Sequence, residues 1–229
     1  MCFNALLATI IIMEKAKLLK LLYQYRSLGF EYIKDFKPFI SKQNHHLSYN
    51  LSEIETNVKN CHLCALAKSR KNTVFGEGNP NADLMFIGEG PGAREDETGK
   101  PFVGRAGALL TKIIENVLHL KRSDVYIANI VKCRPPNNRV PTLEEVSACK
   151  PYLMDQIALI KPKIIVALGS TSYHHLTDDY DMPISKIRGE VLEYGDAKLI
   201  PTYHPSFLLR NPSAKKDVFA DILKVKKLL

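Results

Sequence analysis

The chain has 229 residues, of which 45% are hydrophobic and 24% charged, a size and composition typical of one globular domain that buries a full core. Its 32 Lys and Arg residues outnumber its 24 Asp and Glu residues, giving a net charge of +8 that favours polyanionic partners such as nucleic acid. The apolar run over residues 5–12 is too short to span a bilayer, and no Lys or Arg precedes it, so we expect no membrane span and no export signal. The sequence thus predicts a cytoplasmic protein.

Residues 1–50 are predicted to form an N-terminal extension outside the main domain. Apolar residues from Leu18 to Tyr25 fall on one helical stripe, and Gly29 follows as a stop signal, which predicts an amphipathic helix. Residues 41–50 are polar and show no periodicity, as expected of a linker.

Residues 51–229 alternate short apolar runs with longer helical patterns, which is typical of βαβ units and a parallel sheet. Four runs are predicted as strands: Asp83–Gly88, Asp124–Ile130, Lys163–Leu168 and Lys198–Tyr203. Helices are predicted over 106–118, over 142–160, in a short piece after Gly169, and over 214–229. The prediction is an α/β domain of three layers, α/β/α, around a short central four-stranded parallel sheet.

The loops that follow the predicted strands carry most of the residues suited to chemistry. They contain, in chain order, Glu89-Gly90, Asn129, Gly169-Ser170 and His204-Pro205-Ser206. In open parallel sheets ligands bind beyond the carboxyl ends of the strands, so we expect these loops to form one site. A histidine at a strand end that is stiffened by a following proline favours a catalytic role over a structural one.

Four cysteines have the spacing of a metal or redox site: Cys61, Cys64, Cys133 and Cys149. In a chain without an export signal they are not expected to form disulfides, because the cytosol keeps thiols reduced. One C-x-x-C with two dispersed cysteines fits a cubane iron-sulfur cluster better than a zinc ribbon, since the irons of a cubane spread the ligands widely. A zinc site and unliganded thiols remain alternatives.

The segment from Gly88 to Gly107 combines closely spaced glycines with carboxylates such as Glu89 and Glu95. Glycine allows the backbone to approach a ligand, and a carboxylate can orient or deprotonate a water. The segment matches neither a Walker loop nor a dinucleotide-binding fingerprint. A tight acidic turn without chemistry is the alternative interpretation.

Taken together, these motifs resemble the family 4 uracil-DNA glycosylases, the thermophile-type branch that carries an iron-sulfur cluster. The matching segments are GEGPG followed by GKPFVGRAG, NIVKCRPP, the four spaced cysteines and PTYHPSFLLR. The resemblance covers residues 51–229 and implies a catalytic domain that flips uracil out of DNA and hydrolyses its N-glycosidic bond. It also implies a structural 4Fe-4S cluster on the four cysteines.

The resemblance implies a role for each residue of the predicted site. Asn129 would accept a hydrogen bond from N3–H of uracil and donate one to O4, and Phe102 would stack on the base. His204 would stabilise the negative charge that forms on O2. Glu89 would orient the attacking water, through the backbone of Gly90.

Contacts with DNA are expected from the segment after the catalytic histidine and from the basic loop near the third cysteine. Ser206, Arg210 and Arg134 are predicted to contact the DNA backbone. Extraction of a base from a duplex needs an apolar wedge, for which Leu208 and Leu209 are the candidates. At least one of the two leucines is expected to pack inward.

The motifs provide no lysine as an amine nucleophile, so a monofunctional glycosylase without lyase activity is expected. Glu95 is a candidate for screening C5 of uracil and excluding thymine. A glycosylase that also accepts hypoxanthine or xanthine, and a non-catalytic iron-sulfur module that binds nucleic acid, are the rival hypotheses. The expected partner is uracil-containing DNA, single- or double-stranded, with the chain acting as a monomer; a sliding clamp as a further partner stays open.

Overall fold

The computed structural model describes residues 50–229. The amphipathic helix predicted within residues 1–50, and the polar linker before Asn50, lie outside the described residues. No helix in the described range is long and apolar enough to cross a membrane.

A six-stranded sheet forms the centre of the domain, with the strand order β1-β3-β2-β4-β6-β5. Its strands are β1 (Glu77–Gly78), β2 (Leu84–Gly88), β3 (Tyr126–Asn129), β4 (Ile164–Leu168), β5 (Leu192–Tyr194) and β6 (Ala197–Thr202). The four inner strands are parallel, and the outer two pair antiparallel with their neighbours. The four predicted parallel strands are confirmed as the inner part of the sheet, but the whole sheet is mixed and has six strands instead of four. The two edge strands were not predicted, because runs of two and three residues are too short to show a periodic pattern.

Eight α-helices flank this sheet in the described part of the chain. They are α1 (Leu51–Lys59), α2 (Ala93–Thr98), α3 (Arg105–Ile113), α4 (Leu143–Ile160), α5 (Ser170–Thr177), α6 (Ile184–Ile187), α7 (Pro205–Arg210) and α8 (Lys215–Leu228). A π-helical turn, Ile114–Leu118, continues α3 and ends at His119 in a left-handed conformation. The four predicted helical segments are therefore present close to their predicted bounds.

Helices cover both faces of the sheet, which explains why the strand sequences are continuously apolar. On one face, Met85 and Ile87 of β2 belong to a core that includes Leu153 of α4. On the other face, Phe86 belongs to a core that includes Ile222 of α8. The predicted three-layer α/β/α arrangement is confirmed.

The carboxyl ends of the parallel strands lie level with one another along one edge of the sheet. Gly88 at the end of β2 is in register with Asn129 at the end of β3. Leu168 at the end of β4 is in register with Thr202 at the end of β6. The loops that follow these strands therefore emerge side by side.

A buried ion pair joins the last helix to this edge of the sheet. Asp221 of α8 is 2% exposed and accepts a hydrogen bond from Arg188, Nη2 to Oδ1, at 2.6 Å. The Thr202 hydroxyl, at the end of β6, donates to the other carboxylate oxygen at 2.7 Å. The interaction fixes α8 against the strand that leads into His204.

Replacement of Asp221 by alanine is expected to lower the free energy of unfolding by about 3–5 kcal/mol, because Arg188 would keep a largely buried charge without its partner. Urea denaturation measures the change. Asp181 is exposed and provides the control, since Asp181→Ala should change the free energy of unfolding by no more than about 0.5 kcal/mol. Equally small losses for both variants would show that the buried pair does not stabilise the fold.

Candidate active site

A cavity of about 520 Å³ opens at the carboxyl edge of the sheet. The predicted site residues that line it are Glu89, Gly90, Glu95, Phe102, Asn129, His204, Ser206 and Arg210. They come from the loops after β2, β3 and β6, and the loop after β4 adds Gly169 and Ser170. The tertiary structure thus brings the four predicted loops together at one cavity.

Glu89 follows β2 and is held from the neighbouring loop. The hydroxyl of Thr171, in the first turn of α5, donates to Glu89 Oε2 at 2.6 Å. Thr171 was not predicted as a site residue, because a contact between residues 82 positions apart leaves no local signal in the sequence. Gly90 follows without room for a side chain, since a Cβ there would lie 2.8 Å from Val131 Cγ2.

Asn129 ends β3 with its side chain at the cavity wall. The residue is 1% exposed, and its Oδ1 is a buried side-chain atom without a hydrogen-bond partner among the described residues. Buried polar atoms in folded proteins are nearly always paired, so an unpaired acceptor at a cavity wall indicates a ligand donor. Gly88 provides the space, because a Cβ there would lie 2.5 Å from Asn129 Oδ1.

Phe102 lines the cavity between Asn129 and the catalytic candidate His204. Its ring lies 5.6 Å from the His204 ring, centroid to centroid, with the planes tilted by 35°. Its backbone has a φ of 50°, a conformation that costs a bulky residue free energy and is found at functional sites. Phe102 is also buried and belongs to the core that includes Phe86.

Glu95 stabilises the strained backbone of the Phe102 loop. Its Oε1 accepts hydrogen bonds from the backbone N–H groups of Val103 and Gly104, both at 3.0 Å. The carboxylate lines the cavity but has one oxygen engaged in holding the loop. Its position therefore serves the placement of Phe102, in addition to any contact with a base.

His204 follows β6 and caps α7. Its Nδ1 accepts a hydrogen bond from the backbone N–H of Ser206 at 3.1 Å and lies 2.8 Å from the Ser206 hydroxyl. Burial, with a smaller contribution from the nearby charge of Arg210, lowers the pKa of His204 to about 4, and the charge of Glu95 opposes the shift. The imidazole is therefore neutral at pH 7, and because Nδ1 accepts, its proton is assigned to Nε2.

The two leucines predicted as a wedge have different environments on α7 (Pro205–Arg210). Leu209 is 38% exposed, whereas Leu208 is 1% exposed and belongs to the hydrophobic core. Successive helical residues point in different directions, so one of them turns inward. The prediction of DNA contact is therefore wrong for Leu208, and the expectation that one leucine packs inward is met.

The other residues predicted to contact DNA also differ in their position relative to the cavity. Arg210 and Ser206 line the cavity. Arg134 is outside the lining and donates from Nε to Asn138 Oδ1 at 2.8 Å, so its predicted DNA contact lies beyond the rim of the cavity.

Arg139, which belongs to the basic loop predicted to contact phosphate, also lines the cavity. Its guanidinium contacts both carboxylate oxygens of Glu145, at 2.8 and 2.6 Å. The same carboxylate accepts the N–H of Thr142, the N-cap of α4, at 2.8 Å. The hydrogen bonds from Arg139 lower the pKa of Glu145. The fork-shaped contact holds the arginine at the cavity rim.

A second, smaller cavity is lined by the four predicted metal ligands, Cys61, Cys64, Cys133 and Cys149. All four are free thiols, the last two of them buried. Within residues 50–229 no group of three or more His, Cys, Asp or Glu residues is arranged to hold a single metal ion. The thiols therefore surround one space without meeting at one point.

Two of the sulfur atoms accept hydrogen bonds from nitrogen. Arg70 Nη1 donates to Cys133 Sγ, and the backbone N–H of Lys132 donates to Cys149 Sγ, both at 3.2 Å. Burial raises the pKa of both thiols, that of Cys149 to about 12. Donors of this kind stabilise negative charge on sulfur, as bound clusters require.

Asp96 joins the cysteine-bearing segment to helix α2, which also carries Glu95. It is 2% exposed, and its Oδ1 accepts the backbone N–H groups of Lys71 at 2.9 Å and Asn72 at 3.3 Å. Lys71 directly follows Arg70, the donor to Cys133. The two cavities are thus connected through α2.

Comparison with known proteins is consistent with this site. Residues 75–225 match the model of the uracil DNA glycosylase superfamily. The type-4 uracil-DNA glycosylase of Thermotoga maritima is 49% identical over 179 residues, which are 77% of this chain and 93% of the relative. That of Saccharolobus solfataricus is 50% identical over 187 residues, 79% of this chain and 87% of the relative. A type-5 uracil-DNA glycosylase of Pyrobaculum aerophilum is 31% identical over 144 residues, 56% of this chain and 63% of the relative. The chain therefore belongs to the uracil-DNA glycosylase superfamily and, within it, to the type-4 uracil-DNA glycosylases.

Proposed function

We propose that the chain removes uracil from DNA by hydrolysing the N-glycosidic bond of a base flipped into the cavity. The observation that carries the proposal is the unpaired, buried Oδ1 of Asn129, which shares the cavity with Glu89 and His204. The names of the type-4 relatives support the same substrate. A base inside a duplex is not accessible to such a cavity, so extrusion is required.

Recognition of uracil is assigned to the amide of Asn129. Its oxygen accepts from N3–H and its NH₂ group donates to O4, whereas cytosine presents the opposite pattern of donor and acceptor. An amide discriminates only when its orientation is fixed. The close approach of Gly88 and Phe102 restricts the side chain, and Phe102 offers its ring for stacking on the base.

Catalysis is assigned to His204 and Glu89. As the glycosidic bond breaks, negative charge collects on uracil O2, and the Nε2–H of a neutral His204 donates to that oxygen. Glu89, held by Thr171, orients the attacking water. No lysine belongs to the described cavity lining, which supports a monofunctional glycosylase that leaves an intact abasic strand.

Binding of DNA is assigned to the rim of the cavity. Arg210 and Ser206 are available for phosphate contact, as is Arg134 on the basic loop. Leu209 is the remaining wedge candidate because its side chain is partly exposed. Insertion of an apolar side chain offsets part of the free energy lost when the base unstacks.

We further propose that the four cysteines bind a 4Fe-4S cluster. All the donors are thiols around one space, and two sulfurs already accept N–H donors. A cubane offers a separate iron to each cysteine, so its ligands need not converge as those of a single zinc ion do. When bound, the cluster would cross-link the segment after α1, the loop after β3 and α4, a structural role.

His204→Ala is expected to lower the single-turnover rate of uracil release by about 10²- to 10³-fold, because one donor to the developing oxyanion is lost. Alkali-revealed cleavage of a uracil-containing oligonucleotide measures the rate, with anaerobically purified protein. DNA affinity should stay unchanged. An equal loss of affinity and rate would overturn the oxyanion role, and an inactive wild-type protein would overturn the proposed function.

The stability of the protein is expected to depend on His204 at acidic pH. Its pKa is about 4 in the folded protein and about 6.5 in the unfolded chain. As the pH falls between these values, only the unfolded chain binds the proton, so the free energy of unfolding decreases. Above about pH 6.5 the contribution is fully present.

His204→Asn should therefore lose less free energy of unfolding than the wild type when the pH is lowered from about 7 to about 4.5. Urea denaturation at both pH values measures the difference. His119 is exposed in a left-handed backbone conformation that asparagine tolerates, so His119→Asn is the matched control and should follow the wild type. Identical losses in all three proteins would contradict a buried neutral His204.

The purified protein is expected to be brown and to contain about four irons and four sulfides per chain. Cys149→Ser should abolish the visible absorption and lower the thermal stability, because a buried ligand is lost. Metal analysis and the absorption spectrum provide the measurement. A colourless wild-type protein with stoichiometric zinc would overturn the cluster.

A further inference from the structure

Lys132 is a buried lysine whose side chain pairs with neutral groups. The residue is 1% exposed and is among the largest fully buried side chains of the described domain. Its Nζ donates to the backbone carbonyl of Asn129 at 2.9 Å and to Gln156 Oε1 at 2.6 Å. None of the ion pairs among residues 50–229 includes it. A buried ammonium without a carboxylate is costly unless another negative charge is near.

The nearby candidates for that negative charge are the cysteine sulfurs. Lys132 lines the small cavity together with the four cysteines. Its backbone N–H donates to Cys149 Sγ at 3.2 Å. Thiolates bound to a metal would compensate the ammonium.

The Lys132 side chain also contacts Asn129, the residue proposed to read the base. By folding back onto the carbonyl of Asn129, three residues earlier, the Lys132 side chain closes the turn between the end of β3 and Cys133. Gln156 is held in turn, since its Nε2 donates to Phe75 O at 3.0 Å and to Tyr126 Oη at 3.2 Å. A buried network with its polar groups paired is rigid, so Asn129 has little freedom to move.

We propose that Lys132 is a positioning residue through which the four-cysteine site holds Asn129 in its base-reading position. The proposal rests on the function proposed above and adds a reason for the presence of the cysteine site next to β3. Lys132 does not touch the base. It acts on the backbone of the residue that does, and metal-bound thiolates would supply the negative charge that retains its ammonium in the interior.

A double-mutant cycle tests the half of the proposal that concerns Asn129. Lys132→Met, which keeps the length of the side chain, should lower the single-turnover rate of uracil release by roughly ten- to a hundred-fold. Affinity for undamaged DNA should not change. Because Lys132 acts through Asn129, the double variant with Asn129→Ala should be no slower than Asn129→Ala alone. A double variant whose rate loss equals the product of the two single losses would overturn the proposal.

Ile222→Ala provides the control for a general loss of stability. Ile222 is fully buried in the core on the other face of the sheet. The rate losses of Ile222→Ala and Asn129→Ala should therefore multiply in the double variant. If Lys132→Met does not fold, Gln156→Met removes the second acceptor of the ammonium and should show the same non-additivity with Asn129→Ala. Multiplicative behaviour of Gln156→Met would then overturn the proposal.

Metal retention tests the half that concerns the cysteines. A chelator should remove metal from Lys132→Met several-fold faster than from the wild type, and from Ile222→Ala at the wild-type rate. Equal rates in Lys132→Met and the wild type, or a wild-type protein without metal on the cysteines, would overturn the coupling. A wild-type protein that releases no uracil would instead refute the proposed function, so the two failures are distinguishable.

Discussion

The register between the neighbouring strands β2 and β3 is the constraint on which the site depends. It sets Gly88 beside Asn129, and only the absence of a Cβ at Gly88 lets the Asn129 amide and the Phe102 ring approach the strand end so closely. A shift by one residue would exchange the faces of the strand and remove the amide from the cavity. The loops from β4 and β6 then add Thr171 and His204 to a position that the register has already fixed.

Desolvation gives these groups their chemical character. Burial keeps His204 neutral, so that it is a donor with a single assigned proton, and it leaves Asn129 Oδ1 without a partner until a ligand supplies one. The same low dielectric makes each unpaired group costly. Among the described residues, the unpaired buried side-chain atom therefore lies at the cavity, where a ligand can pair with it, and Lys132 and Gln156 pair with each other behind it.

The cysteine site and the cavity are structurally continuous. Asp96 connects the segment after Arg70 to α2, which carries Glu95, and Glu95 holds the backbone beside Phe102. Lys132 provides the second connection, from Cys149 to the carbonyl of Asn129. Each connection ends at a residue that lines the cavity, Phe102 or Asn129, so the thiol-rich site supports the cavity wall at two points.

The sequence by itself determined the α/β class, the four parallel strands and the loops that carry Glu89, Asn129 and His204, because apolar runs buried on both faces and residues at strand ends leave local patterns. The match of the spaced motifs also determined the family. Only the tertiary structure decided that Thr171 holds Glu89, that Arg139 is fixed by Glu145, and that Leu208 packs inward while Leu209 does not. These contacts depend on which loops become neighbours and on the rotation of a short helix, and neither is encoded in the local pattern. The four cysteines could be identified from their spacing in the sequence. The burial of Lys132 could not, because no spacing pattern reveals it.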